Sequence, residues 1–197
     1  MDNQALLDKS LRTRVRVDKQ KKIGIVFSLL AIVFSFFILG GSRLQAHHDR
    51  VQRYFYDIPG QLSVESQVAF VWGQGSNAHF IASQQNAGHA LVTQLGDALA
   101  DFIAVAESDM ARFSEMPHVT LAIVEAMVAL NNSRDQLTLS ESDQQHFAGA
   151  MANMVQAANI IANSDFNPRA TTFNSMLGSF PTNVLAGIRG VRPLPIF

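Results

Sequence analysis

Residues 23–42, IGIVFSLLAIVFSFFILGGS, form a run of twenty residues without a charged side chain. Twenty helical residues at about 1.5 Å each span roughly 30 Å, the thickness of a bilayer hydrocarbon core. A chain crossing that core must satisfy its own backbone hydrogen bonds, which a single segment does only as a helix. Ser28 and Ser35 are tolerable there because a hydroxyl bonds back to the carbonyl one turn earlier. A cleaved signal peptide is the alternative, with an apolar core of about 7–15 residues and small residues at the cleavage site. The exit here reads GGSRLQAHH, which places Leu44 where a small residue is wanted if Ala46 precedes the cut. No cysteine is present for lipidation, so an uncleaved transmembrane helix is the better reading.

Charge is distributed unevenly about this run. Residues 1–22 hold seven basic residues (Lys9, Arg12, Arg14, Arg16, Lys19, Lys21, Lys22) against three acids. Residues 43–197 hold eight arginines, no lysine and thirteen acids. Lys and Arg beside a span stay in the cytoplasm. The chain therefore divides into a basic cytoplasmic tail 1–22, a transmembrane helix 23–42 and an extracytoplasmic body 43–197. Beside a membrane the basic tail is explained by topology and attraction to anionic lipid, about 1 kcal/mol per base near the surface, and nucleic acid is not an expected partner.

The body has no strand-like alternation. Helical spacing recurs instead, which predicts an all-α protein: an antiparallel bundle of three to four long helices following the span. Leu44, His48, Val51, Phe55 and Ile58 form one face of a helix continuing from the membrane, ended by Pro59-Gly60. A second helix runs from Ser63 to Gln85 through Gly73 and Gly75, with Val64, Val68, Val71 and Ala78 on its stripe. A third runs from His89 to Glu107, with Leu91, Leu95, Ala98, Leu99, Phe102 and Ala106 inward. After a break at 114–117, the segment 119–130 is apolar at ten of twelve positions, too short to span and suited to burial on most sides. Ser140 caps the next helix, with Phe147, Met151, Met154, Ala158 and Ile161 inward. A renewed helix capped by Asp165 or Asn167 carries Phe166, Ala170, Phe173, Leu177 and Phe180, and Pro181 stops it. One further turn is expected over 183–188. The end, 190–197, is extended because two prolines forbid a helix.

No catalytic, cofactor or metal site is expected. His47 and His48 are adjacent and so project from different helix faces, while His79, His89, His118 and His146 are dispersed. Zinc needs three or four convergent ligands. Asp97 and Asp101, one turn apart, read as solvated acids. Gly73-Gln74-Gly75 lacks the strand and third glycine of a dinucleotide loop. The methionines, among them Met110, Met127 and Met154, read as core filling.

The closing run FNSMLGSFPTNVLAGIRGVRPLPIF resembles the end of the LemA family of bacterial membrane proteins. The family ends on an F-N…F-P-x-N helix end and a G-(F/V)-(K/R)-P tail. Phe173-Asn174, Phe180-Pro181, Asn183, Gly190, Arg192-Pro193 and Phe197 fall in that register, with Phe166-Asn167 as the earlier aromatic–Asn pair. Here Tyr54-Phe55-Tyr56-Asp57 and residues 67–82 stand in place of the family's usual first helices. The resemblance implies a single-pass protein with a helical bundle and no known catalytic residues.

The residues have a physical reading of their own. Asn167 and Asn174 lie seven apart on one helix face, where their amides can bond an extended tail that otherwise lacks backbone partners. Leu194, Ile196 and Phe197 are then expected to fold back onto the bundle. The function expected of such a chain is that of a membrane-anchored scaffold or interaction module, with a ligand-binding or sensing bundle as the alternative. The expected partners are the bilayer and another membrane or extracytoplasmic protein. A homo-oligomer is also compatible with the sequence.

Overall fold

The computed structural model describes the backbone of residues 3–108 and 110–197, and the side chains of residues 25–108 and 113–197. The basic side chains of the tail, their expected contact with anionic lipid, and the Met110 side chain lie outside the described residues. Among the described residues all regular structure is helical: α1 Asn3–Tyr56, α2 Val64–Asn86, α3 Ala90–Ala106, α4 Met116–Asn132, α5 Glu141–Ala162, α6 Phe166–Leu177 and α7 Thr182–Arg189. Short 3₁₀ segments, Met110–Glu115 and Arg134–Gln136, flank α4.

The first helix runs unbroken through the uncharged segment and into the body. Its surface changes character on the way. Ile25, Phe27 and Phe34 are exposed, whereas Leu44, Val51 and Phe55 are buried. Two helical stretches among the described residues are long and apolar enough to cross a membrane, Ile25–Tyr56 and Phe113–Asn132. The second belongs to the core, because α4 packs on α2, α3 and α5 and buries Ile123, Met127 and Leu130.

Four helices, α2 to α5, enclose the main core, with α2 against α5 and α3 against α4. Ser63 and Ser140 cap α2 and α5, each hydroxyl accepting from a backbone N–H three residues on at 3.1 Å. The two α2 glycines differ in role. A Cβ on Gly75 would lie 2.8 Å from Ile123 Cγ2 and 3.3 Å from Leu99 Cδ2, whereas one on Gly73 would meet nothing within 4 Å. Gly75 is thus where α2 approaches its neighbours, and α2 runs through both positions without interruption.

Several expected faces are corrected. In α3 the buried stripe includes Val92 and Val105, while Leu91 is half-buried and Ala106 exposed. Helix α4 starts at Met116, with Pro117 in its first turn, and extends to Asn132. Within 119–130 the exposed residues, Leu121, Glu125 and Val128, form a single stripe, and the other nine positions are buried or half-buried. In α5, Ala150 and Ala157 are buried, and Met151 and Ala158 only half so. Of the two cap residues expected for α6, Asp165 occupies the N-cap position but makes no side-chain cap bond, and Asn167 lies inside the helix. Phe180 does not continue the α6 stripe, because α6 stops at Leu177 and the chain turns, leaving Phe180 83% exposed. The turn expected over 183–188 is a longer helix, α7.

Candidate functional site

Helices α6, α7 and the extended tail pack as a second group along α1 rather than inside the four-helix core. An extended segment has no internal ladder for its N–H and C=O groups. Two asparagines of α6 supply the partners. Leu194 N–H donates to Asn174 Oδ1 at 2.8 Å, and Asn174 Nδ2 donates to Leu194 O at 2.8 Å. Phe197 N–H donates to Asn167 Oδ1 at 3.0 Å, and Asn167 Nδ2 donates to Phe197 O at 3.0 Å. The same Nδ2 reaches Ile161 O at 3.1 Å, tying the end of α5 to the arrangement.

The tail's apolar residues divide unevenly. Leu194 is buried, and the Phe197 ring stacks on Phe55 at 5.7 Å and meets Phe166 edge-on at 6.2 Å. Ile196, expected to pack inward, is 49% exposed, while Leu194 and Pro195 are buried. With three residues per turn in an extended proline-rich chain, Leu194 and Phe197 share a side that Ile196 does not. Pro193 and Arg192 are exposed. Phe173, fully buried, lies against His47 (stacked, 5.4 Å) and His48 (edge-on, 5.5 Å). Arg169 sits 4.1 Å over the Tyr54 ring, a further α6–α1 contact.

Helix α7 is seated lower on α1. A Cβ on Gly40 would meet Leu185 Cδ1 at 3.1 Å, and one on Gly41 would meet Arg189 Nε at 2.5 Å. Arg189 Nη2 also donates to Ile38 O at 3.3 Å. The glycine pair that closes the uncharged run is therefore the surface against which α7 rests, a role without a local signal in the sequence. Asn183 Oδ1 accepts only locally, from Val184 N–H at 2.8 Å. Pro181 follows a cis peptide bond, and Gly190 ends α7 at φ +66°, where glycine is favoured.

Asn86 also escaped the sequence reading. Thr138 N–H donates to its Oδ1 at 2.8 Å, and its Nδ2 donates to Thr138 O at 3.0 Å, pinning the α4–α5 loop to the end of α2. Each of these three asparagines thus pairs its amide with the backbone N–H and carbonyl oxygen of one distant residue.

Among the described residues no group of three or more His, Asp or Glu side chains is placed to hold a metal ion. His89 accepts from Leu91 N–H at 3.3 Å at the start of α3, and His79 fills the space that Gly96 leaves. Of the residues singled out near the C-terminus, Phe166, Asn167, Asn174 and Phe197 come together in a clasp that fixes the extended segment, whereas Phe180, Arg192 and Pro193 are exposed and take no part. No family model matches the chain, and no curated protein or solved structure matches it.

Proposed function

We propose that this is a single-pass membrane protein, a divergent LemA-like one, whose helical body lies outside the cytoplasm and acts as a scaffold or protein-interaction module. The observation that carries the reading is the continuity of α1. One helix contains both the exposed apolar segment and the buried positions Leu44, Val51 and Phe55. A body joined in this way has no flexible linker, so its height and orientation over the bilayer are fixed, which suits a platform for a partner. The antiparallel order of the bundle belongs to the same reading, since α2 and α3 pack together across the short turn 87–89. The LemA-like assignment rests on Phe173–Phe197, whose resemblance residues include Asn174, which holds Leu194, and Phe197, which is held by Asn167 of the earlier aromatic–Asn pair.

A ligand-binding bundle is favoured by a different observation. An apolar cleft of about 400 Å³ opens between α4, α5 and the tail, bordered by Leu121, Val124, Ala158 and Ile196. Cross-linking of the full chain in its native membrane, followed by native mass spectrometry of the purified protein, separates the two. A stoichiometric protein partner recovered repeatedly supports the scaffold. A retained small apolar molecule without such a partner supports the sensor and contradicts the scaffold.

A further inference from the structure

Val184 and Ile188, one turn apart on α7, are 41% and 64% exposed, and Phe180, in the turn just before the helix, is 83% exposed. Leu185 and Ala186, on the other side of α7, are buried against the body. An amphipathic helix with an uncovered apolar face calls for an occupant, and three observations indicate which one.

The first is height. Helix α7 is fastened to α1 at Ile38, Gly40 and Gly41, within the last turn of the uncharged run. If that run spans the bilayer, α7 lies at the depth where acyl chains give way to headgroups. The second is continuity. Helix α7 packs on α1 next to residues of the uncharged run that are themselves exposed, Ile38 at 42% and Leu39 at 62%. The third is charge. Residues 43–56 and 165–197, which make up the group built on α1, carry six arginines against two acids. Residues 57–164 carry two arginines against eleven acids. An anionic lipid surface attracts the first group and repels the second. Arg189 and Arg43 flank the exit of the uncharged run. Arg189 lies over Gly41 and donates to Ile38 O through Nη2, which leaves other N–H groups of its guanidinium for a headgroup phosphate.

We propose that Phe180 and α7 form an interfacial membrane-docking element, with Phe180, Val184 and Ile188 inserted at the acyl–headgroup boundary beside the span. A short apolar face of this kind adds to an existing anchor by burying its area in lipid. It sets the tilt of the body over the membrane. The proposal rests on the reading of residues 23–42 as the span.

The chain has no cysteine, so single-cysteine variants carry one probe each. The full-length protein is reconstituted in vesicles of phosphatidylcholine and phosphatidylglycerol with an environment-sensitive fluorophore at Leu30→Cys, Val184→Cys, Ile188→Cys or Asp97→Cys. Bromine is placed shallow or deep on the lipid chains as quencher. The expected result is blue-shifted emission at 184 and 188, lost chiefly to shallow bromine, with deep quenching at 30 and none at 97. Deep quenching at 30 with 184 and 188 as unquenched as 97 overturns the docking element and leaves the span standing. No quenching at 30 overturns the span itself, and the docking element with it. Blue-shifted emission at 188 without lipid quenching, together with disulfide-linked dimers of Ile188→Cys, shows that a second copy covers α7 and overturns the proposal.

Discussion

Asn174 holds the Leu194 peptide from both sides, accepting its N–H and donating to its carbonyl, each at 2.8 Å and across twenty residues of sequence. Neither partner group has a helix or strand to fall back on, so the amide is the tail's main attachment at this point. Asn174→Ala is expected to remove both bonds and cost about 1–3 kcal/mol. In the full chain in detergent this reads as a fall of several degrees in Tm. Unchanged melting would mean that the bracket contributes nothing net.

Asn174→Asp refines the test through pH. A carboxylate keeps the acceptor for Leu194 N–H but sets its second oxygen against the Leu194 carbonyl. The charged form is disfavoured, so the folded-state pKa rises above the unfolded one. The variant then loses stability, relative to the parent, as pH rises through the unfolded pKa of about 3.9 and on to the folded pKa. It recovers that loss on acidification. A constant difference in Tm between variant and parent across this window would contradict the geometry.

The tail itself separates Phe197 from Ile196. Deleting 191–197 is expected to cost about 1–3 kcal/mol, because buried Leu194 and partly buried Phe197 leave the core. Phe197→Ser should reproduce much of that loss, while Ile196→Ser, at a half-exposed position, should stay within about 0.5 kcal/mol. Amide exchange offers an independent check: Leu194 and Phe197 N–H should be protected.

Much of this was legible in the sequence. The start of α2 at Ser63, the cap at Ser140, the continuation of α1 beyond the uncharged run and the spacing of Asn167 and Asn174 all follow from local pattern. The misses have local causes too. Leu91 and Val92 are both apolar, and helical spacing in so apolar a segment does not decide between neighbours about 100° apart. The Phe166 stripe was continued to Phe180 because periodicity does not register that a chain has turned after Leu177. Gly40-Gly41 and Asn86 act on segments far away in sequence, Arg189 and Thr138, so no window around them contains the reason for them.

The α2 glycines give a prediction of opposite signs. Gly73→Ala gains helix propensity in open space and should stabilise by up to about 1 kcal/mol. Gly75→Ala sets a methyl 2.8 Å from Ile123 Cγ2. Overpacking of this kind costs typically about 1–3 kcal/mol, which outweighs the propensity gain. Thermal melts of the two variants side by side decide it, and equal shifts would contradict the packing.

Ile123 is fully buried at the same junction. Ile123→Asp would place an unpaired carboxylate there and should cost several kcal/mol, enough to unfold a marginal domain. Far-UV circular dichroism of the full chain should lose the cooperative transition of the body, and retention of the parental melt would refute the core assignment.

Side-specific labelling tests most directly the proposed crossing of the membrane by α1 with the body outside. Lys9→Cys and Asp97→Cys variants of the full chain are treated, in cells stripped of wall or outer membrane, with a membrane-impermeant maleimide before and after permeabilisation. The account predicts that Asp97→Cys labels at once and Lys9→Cys only after permeabilisation. Immediate labelling of Lys9→Cys, or protection of Asp97→Cys until the membrane is opened, would contradict it.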